Sequence, residues 1–363
     1  MKHAFLSLCL CLAYATLARG ESPKYRTDAG DDKLPWYKLK AGEFPPPDAA
    51  HSLDVSLVEI KPAARTGTYR IQDRVVEQAA RMITFRILPG ATVLRHGAPA
   101  DLRDFPTSSH VTIGAFMPDQ SDRFSDVWTF MDTFSLDVTT GSRWRIKALR
   151  LDKGLATLAR VKDGKEDKPK EVLIDARTTF WKGAGFGSQT NLSVGQEVLV
   201  NFGPGTAALP VYELVTDVWL DDESRTLTTG RQAARARLEL RRRGLPAKVD
   251  AVDNKTSELT LTFFDPGFPG LLDRFVTGKS CQVAAADTAL RTAEPAGGQG
   301  GPDAMRAQIT AHREIPKVQG CGGRQIVIKL PYLLEGFRPQ RNVRLVDENN
   351  NFQILPPEDR VYE

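Results

Sequence analysis

The sequence has few cysteines and histidines, and no large excess of charge of either sign. Among 363 residues there are four cysteines and five histidines, and the formal net charge is +4. The histidines beyond the N-terminus lack metal-ligand spacing, so we expect no metal and no cofactor. They are His51, His96, His110 and His312. A chain that bound polyanions over its whole surface would be more basic.

After the first twenty residues the sequence has no long apolar run. Lys2 and His3 precede the apolar segment 4–17, and Ala18-Arg19-Gly20 fits a small-x-small cleavage site. This pattern predicts a signal peptide at 1–20, with an uncleaved anchor as the alternative. We therefore expect an exported protein, periplasmic or extracellular, that does not span the membrane.

Sequence motifs of common reaction centres are also missing. There is no Gly-x-Ser-x-Gly elbow and no His-Glu-x-x-His, so no catalytic residue is assigned. Gly278-Lys279-Ser280 resembles the end of a phosphate-binding loop, but Asp273 stands where that loop needs a glycine. The glycine-rich segment 183–187 has no helix after it and is expected to be a flexible loop.

Two cysteines remain after removal of the signal peptide. Cys9 and Cys11 lie within it, whereas Cys281 and Cys321 lie in the mature chain. Disulfides persist in export compartments, so we predict a Cys281–Cys321 disulfide, with two buried thiols as the alternative.

Short alternating apolar runs, broken by glycine, proline, aspartate and asparagine, dominate from Leu53 onward and predict strands and tight turns. One closing pattern recurs at 105–113, 192–200 and 275–283, with a fainter copy at 337–345. Each copy ends in two apolar residues two positions apart, which places both on the core face of a strand. The pairs are Val111 and Ile113, Val198 and Val200, Cys281 and Val283, and Val343 and Leu345.

A hairpin, a third strand, a connecting segment and a closing strand make about five strands, the number in an OB-like barrel. The predicted fold is therefore mainly β, with tandem small OB-like barrels, and β-sandwich modules as the alternative. A Pro-rich arm precedes the barrels, and its Trp36-Tyr37 pair could allow part of it to dock. The predicted divisions are the signal peptide 1–20, the arm 21–52, module 1 at 53–135, module 2 at 136–220, a helical connector 221–247, and module 3 at 248–363 with a loop insertion at about 292–319.

The connector carries the strongest helical signal. Thr229 and Gln232 match a capping box, and Gly244 with Pro246 predicts the end of the helix. Its arginines could bind an anionic polymer if they share a face, or could serve packing and solvation. The candidate binding residues are Arg231, Arg235 and Arg242, together with Trp144, Trp181 and Trp219 as stacking platforms that could instead be core.

Three stretches resemble a group of exported proteins from planctomycete-type bacteria to which no function is assigned. They are Leu34–Pro45 (LPWYKLKAGEFP), His96–Pro106 (HGAPADLRDFP) and Arg243–Asp253 (RGLPAKVDAVD). The resemblance implies export and tandem OB-like modules, and no activity.

Three functional hypotheses remain. The first is a non-catalytic cell-envelope protein that binds a protein or a glycan through its modules. The second is a module for polyanions, either nucleic acid, which is the less favoured ligand, or an acidic glycan. The third is a hydrolase of envelope polymers.

Overall fold

The computed structural model describes residues 33, 35, 37–71, 82–116, 125–205, 212–287, 290 and 304–353. The predicted signal peptide, Trp36 and part of the predicted loop insertion lie outside these residues. The described residues form three closed β-barrels, which confirms the predicted mainly β fold with small barrels.

The first barrel is built from strands that close on themselves in the order β2-β1-β5-β6-β3. β4 extends β3 as a short hairpin, and β3 and β6 form the parallel pair. The strands are β1 (His51–Lys61), β2 (Thr66–Ile71), β3 (Met82–Arg95), β4 (Ala98–Pro99), β5 (His110–Phe116) and β6 (Ser125–Asp132). Five strands with one parallel closure form an OB-like barrel.

The second barrel repeats this topology, with β10-β8-β7-β13-β14 closed by a parallel pair between β10 and β14. The strands are β7 (Arg143–Arg150), β8 (Leu155–Lys162), β9 (Lys165–Glu166), β10 (Lys170–Leu173), β11 (Thr179–Lys182), β12 (Gly185–Phe186), β13 (Glu197–Gly203) and β14 (Glu213–Trp219). The β11–β12 hairpin corresponds to the β3–β4 hairpin of the first barrel. An eight-residue helix, α1 (Thr133–Thr140), joins the two barrels.

The third barrel has six antiparallel strands in the order β15-β16-β19-β18-β17-β20. They are β15 (Leu245–Asp253), β16 (Glu258–Phe264), β17 (Ser280–Ala285), β18 (Met305–Glu314), β19 (Cys321–Lys329) and β20 (Asn342–Asp347). β18 falls inside the predicted loop at 292–319, so that prediction is wrong for 305–314. Three buried residues alternate with outward-facing ones at the start of β18: Met305, Ala307 and Ile309. The sequence shows this strand only weakly, because alanine is a small apolar residue.

One backbone element recurs four times in the barrels. Before each closing strand a residue adopts a left-handed conformation, and its N–H donates to the carbonyl of a residue beside a β-bulge in a neighbouring strand, at 2.8–2.9 Å. The pairs are Ser108 with Leu57, Gly195 with Ile146, Gly278 with Ile309, and Gln340 with Val249. We call this element the bulge clasp. The third barrel holds two clasps, which explains its extra strand and its fourth copy of the closing pattern.

The predicted disulfide between Cys281 and Cys321 is absent, and both thiols are free and buried. Cys281 lies on β17 and Cys321 begins β19, while β18 runs between these strands. Strands two places apart are separated by roughly 9.5 Å, beyond the Cα distance that a disulfide spans. Burial raises the pKa of the Cys281 thiol to about 12.

The N-terminal arm docks where the first and third barrels meet. Tyr37 packs on Phe116 at 5.6 Å between ring centroids, and Phe44 meets Phe264 edge-on at 5.8 Å. The predicted docking of part of the arm is therefore confirmed for its described residues.

Candidate functional site

The connector forms a long helix, α2 (Asp222–Arg243), that begins earlier than predicted. Asp221 is its N-cap and accepts a hydrogen bond from the Ser224 N–H at 2.7 Å. The capping box predicted at Thr229 and Gln232 is wrong. Both residues lie within the helix and use their side chains for contacts to the first barrel, where Thr229 Oγ1 donates to the His96 carbonyl at 2.8 Å. Gly244 ends the helix as predicted.

Charge is concentrated on α2. The helix carries seven arginines and three acidic residues, a net charge of +4 that equals the net charge of the whole sequence. The rest of the chain is therefore electrically balanced. A concentrated positive field of this kind attracts anionic polymers to one surface.

The inner side of α2 is fixed by buried contacts. The Arg243 side chain is 8% exposed, and its guanidinium pairs with Asp101 at 3.2 Å and Glu239 at 3.1 Å. Gln232 donates to the Pro99 carbonyl at 3.1 Å. Burial works against the ionised form of Asp101, but the charges of Arg65, Arg243 and Arg103 hold its pKa below the ordinary value. These contacts hold the helix rigidly against the first barrel.

The outer side of α2 carries five arginines within an arc of about 160°, at 100° per residue. We call it the arginine face; it comprises Arg231, Arg235, Arg237, Arg241 and Arg242. From Arg231 to Arg242 it extends about 16 Å along the helix axis. The predicted candidates Arg231, Arg235 and Arg242 thus share one face.

The arginines of this face differ in their partners. Arg231 and Arg241 are exposed and form no ion pair within the part of the chain that the structure describes. Arg235 pairs with the buried Asp104 at 3.0 Å, and Arg242 with Glu239 at 2.8 Å. The Arg237 guanidinium lies over the Phe268 ring at 4.8 Å. Arg231 and Arg241 are therefore the cations most available to a ligand.

A shallow cleft continues the arginine face onto the third barrel. Arg237 and Arg241 line it from the helix, and Arg274 lines it from the barrel. Arg274 is half exposed and pairs with Asp347 at 3.1 Å. An extended anionic ligand on α2 would meet this further cation.

A cavity of about 200 Å³ lies where the first barrel, α2 and the third barrel meet. Its charges balance, because four arginines and four carboxylates line it: Arg65, Arg235, Arg243 and Arg344 with Asp101, Asp104, Glu239 and Asp265. Each of these carboxylates is ion-paired, Asp265 with Lys317. Two of these ion pairs, Arg235–Asp104 and Arg243–Asp101, hold α2 against the first barrel, whereas Asp265 pairs with Lys317 within the third barrel.

Two of the three candidate tryptophans are core residues. Trp144 is 8% exposed and donates to Asp137 at 2.7 Å, while Trp219 is fully buried and donates to Thr228 at 2.9 Å. Burial raises the pKa of Asp137 to about 6 despite its contacts with Arg160 and Trp144. Neither ring offers a face to a ligand.

Trp181 is half-buried and contacts an exposed aromatic ring that sequence reasoning missed. Residues 183–187, expected to be a flexible loop, instead form the turn and second strand of the β11–β12 hairpin. Phe186 on that hairpin is 75% exposed. The sequence signal for this exposed ring is an aromatic residue between two glycines, Gly185 and Gly187.

The other motifs have structural roles. Gly278 and Lys279 belong to a bulge clasp. His96 lies between Phe134 and Trp219, and His110 lies 3.7 Å from Glu213 of the second barrel. Within the described ranges, no group of three or more His, Cys, Asp or Glu side chains is arranged to hold a metal ion.

No family model, curated protein or solved structure matches this chain. Among the described residues, no helix is both long enough and apolar enough to cross a membrane.

Proposed function

We propose that this chain is an exported, non-catalytic protein that binds an acidic polysaccharide of the cell envelope on the arginine face of α2. The observation that carries the proposal is the segregation of charge: α2 holds a net charge of +4, whereas the chain outside α2 and the predicted signal peptide has 40 basic and 42 acidic residues, a net charge of −2. Export, to the periplasm or the cell exterior, rests on the N-terminal signal pattern.

The composition of the face favours a polysaccharide over a protein partner. In α2, which the structure describes in full, Leu238 is the one large apolar side chain that is mainly exposed. Stable protein interfaces place aromatic and apolar anchors at their centre. A face of arginines with a single leucine suits a hydrated, charged polymer better.

Nucleic acid is a less suitable ligand. Single-stranded nucleic acids are held by aromatic rings that stack on successive bases along a basic groove. Trp144 and Trp219 are buried, which leaves one pair of rings, Trp181 and Phe186, and no row of rings for successive bases among the candidate tryptophans. An exported protein also meets acidic glycans more readily than nucleic acids.

The cavity between the first barrel, α2 and the third barrel, here called the junction cavity, does not have the geometry of a glycoside hydrolase site. A glycoside hydrolase needs two carboxyl groups free to act as acid and base or nucleophile. The carboxylates that line this cavity are ion-paired with arginine or lysine. Their oxygens are engaged in structural ion pairs and are not free for proton transfer or attack on a sugar.

The test is retention on immobilised heparin during a salt gradient. We expect the mature chain to elute above physiological ionic strength, about 0.15 M. The double variant Arg231→Gln/Arg241→Gln should elute much earlier, because it removes the two unpaired cations while glutamine keeps a similar helix propensity. The control Lys162→Gln/Lys255→Gln removes two exposed charges from turns and strands elsewhere and should elute close to wild type. Early elution of the wild type would contradict the proposal.

A further inference from the structure

The β11–β12 hairpin of the second barrel presents an aromatic surface to solvent. Trp181 pairs across the hairpin with Phe186, and Lys182 with Gly185. Phe186 is 75% exposed, the highest value among the large apolar side chains that the structure describes. The fold gains little from an apolar ring in this position, since the ring remains in water.

The exposed ring is the outermost of three aromatic rings that are layered towards the core. Phe186 lies 5.0 Å from Trp181 between centroids, tilted by 36°. Trp181 in turn lies nearly parallel to the buried Trp219, at 6.5 Å and 13°. The Trp181 indole N–H donates to Asp217 at 3.1 Å, which sets the ring orientation. We call Trp181 and Phe186 the aromatic platform.

The first barrel shows what happens when the same hairpin is covered. Its β3–β4 turn lies under α2, where a Cβ on Gly97 would come within 3.2 Å of Thr229. In the second barrel, a Cβ on the turn residue Gly183 would lie 3.3 Å from Glu223 of α2, but a Cβ on Gly185, in the strand after the turn, would meet nothing within 4 Å. Helix α2 thus touches the turns of both hairpins but leaves the second strand of the β11–β12 hairpin, with its aromatic ring, open to solvent.

The platform adjoins the start of the helix that carries the arginine face. The Gly183 N–H donates to the N-cap Asp221 at 3.0 Å. From Asp221 to Arg231 the helix rises about 15 Å. The first turn of α2, which carries Asp222 and Glu223, lies between the two surfaces. A polymer that contacts both surfaces must span this acidic turn.

We infer that the aromatic platform is a stacking subsite for a sugar ring of the acidic polysaccharide, and this inference rests on the proposed function. A pyranose ring has an apolar C–H face that packs against an aromatic ring, while its hydroxyl and carboxylate groups remain hydrated. The platform recognises the ring, and the arginine face recognises the charge.

The test compares two anionic polymers that differ in rings: polygalacturonate, which has sugar rings and carboxylates, and inorganic polyphosphate, which has charge alone. Phe186→Ala should weaken polygalacturonate binding about fivefold, from the loss of roughly half of a phenyl side chain's burial, and leave polyphosphate binding unchanged. Arg231→Gln/Arg241→Gln should weaken both. Val194→Ala, at a 64% exposed position of the same barrel, is the control and should change neither.

Each other result overturns a specific claim. If Phe186→Ala leaves polygalacturonate binding unchanged, or weakens both polymers equally, the platform is not a sugar subsite. The proposed function would still stand if the arginine variant lost both polymers. If wild type binds neither polymer, the proposed function and the inference both fail.

Discussion

At the residue scale, His110 shows how contact between barrels makes stability depend on pH. It begins β5 of the first barrel and lies near Glu213 and Lys170 of the second barrel and Asp54 of its own. Burial lowers its pKa to about 4 from the ordinary 6.5, more than Glu213 raises it. Between pH 4 and 6.5, the unfolded chain therefore binds a proton at His110 that the folded chain does not bind.

The expected result is a loss of stability as pH falls from 6.5 towards 4, which amounts to about 2 to 3 kcal/mol. His110→Gln should lack this part of the loss when free energies of unfolding are measured by denaturant titration at pH 7, 5.5 and 4.5. His312→Gln, at an exposed histidine, is the control and should follow wild type. The raised pKa of Asp137 also makes the free energy of unfolding depend on pH, but this contribution is the same in all three proteins. Parallel pH profiles for wild type and His110→Gln would refute this account.

At the element scale, the bulge clasp is the unit that the chain reuses. Two of its left-handed positions hold glycine, Gly195 and Gly278, and two hold larger residues, Ser108 and Gln340. A left-handed conformation costs a residue with a Cβ roughly 1 to 2 kcal/mol, and glycine much less. The four copies therefore differ in backbone strain while sharing the same hydrogen bonds.

Exchange of the residues between copies tests this view. A Cβ at Gly278 meets nothing within 4 Å, so Gly278→Ala should lower the free energy of unfolding by about 1 kcal/mol through backbone conformation alone. Gln340→Gly should raise it by up to about 1 kcal/mol. Gly185→Ala, which is also unobstructed but lacks a positive φ, is the control. Equal effects of Gly278→Ala and Gly185→Ala in denaturant titrations would disprove the role of the left-handed turn.

Sequence patterns predicted the closing strands because period-2 burial is local. Val111, Val198 and Val343 are all buried where the pattern placed them. The strand order of the third barrel depends on which distant β-bulge each closing turn contacts. Because the four turns have similar sequences, this pairing was not predictable from them. Helix α1 was missed because its threonines and valine have weak helix propensity, although Asp132 and Gly141 cap it.

The sequence also predicted part of the candidate site, namely the positions of its arginines on the helix, but not their contacts. The 3.6-residue period places Arg231, Arg235 and Arg242 on one face. It does not show that Arg243, the next residue, is buried against Asp101, because that depends on the position of the first barrel. Phe186 was missed because a glycine-rich segment shows no strand periodicity.

At the scale of the whole molecule, three barrels are joined by a helix whose inner side fastens them and whose outer side faces solvent. The docked arm joins the first and third barrels through Tyr37 on Phe116 and Phe44 on Phe264, and ion pairs in the cavity hold α2 to the first barrel. The arginine face lies on the same helix whose start adjoins the aromatic platform, with the acidic Asp222 and Glu223 between them. The central claim is that the arginine face binds acidic polysaccharide chiefly through charge.

The most direct test is the salt dependence of polygalacturonate affinity, measured by calorimetry for wild type, Arg231→Gln/Arg241→Gln and the control Lys162→Gln/Lys255→Gln. Contact cations release counterions, so the logarithm of the binding constant falls with the logarithm of salt concentration, by a slope that counts the contacts. We predict that the arginine variant loses roughly two units of slope, about one for each arginine, and that the control keeps the wild-type slope. An affinity independent of salt, or equal slopes for the three proteins, would contradict the account.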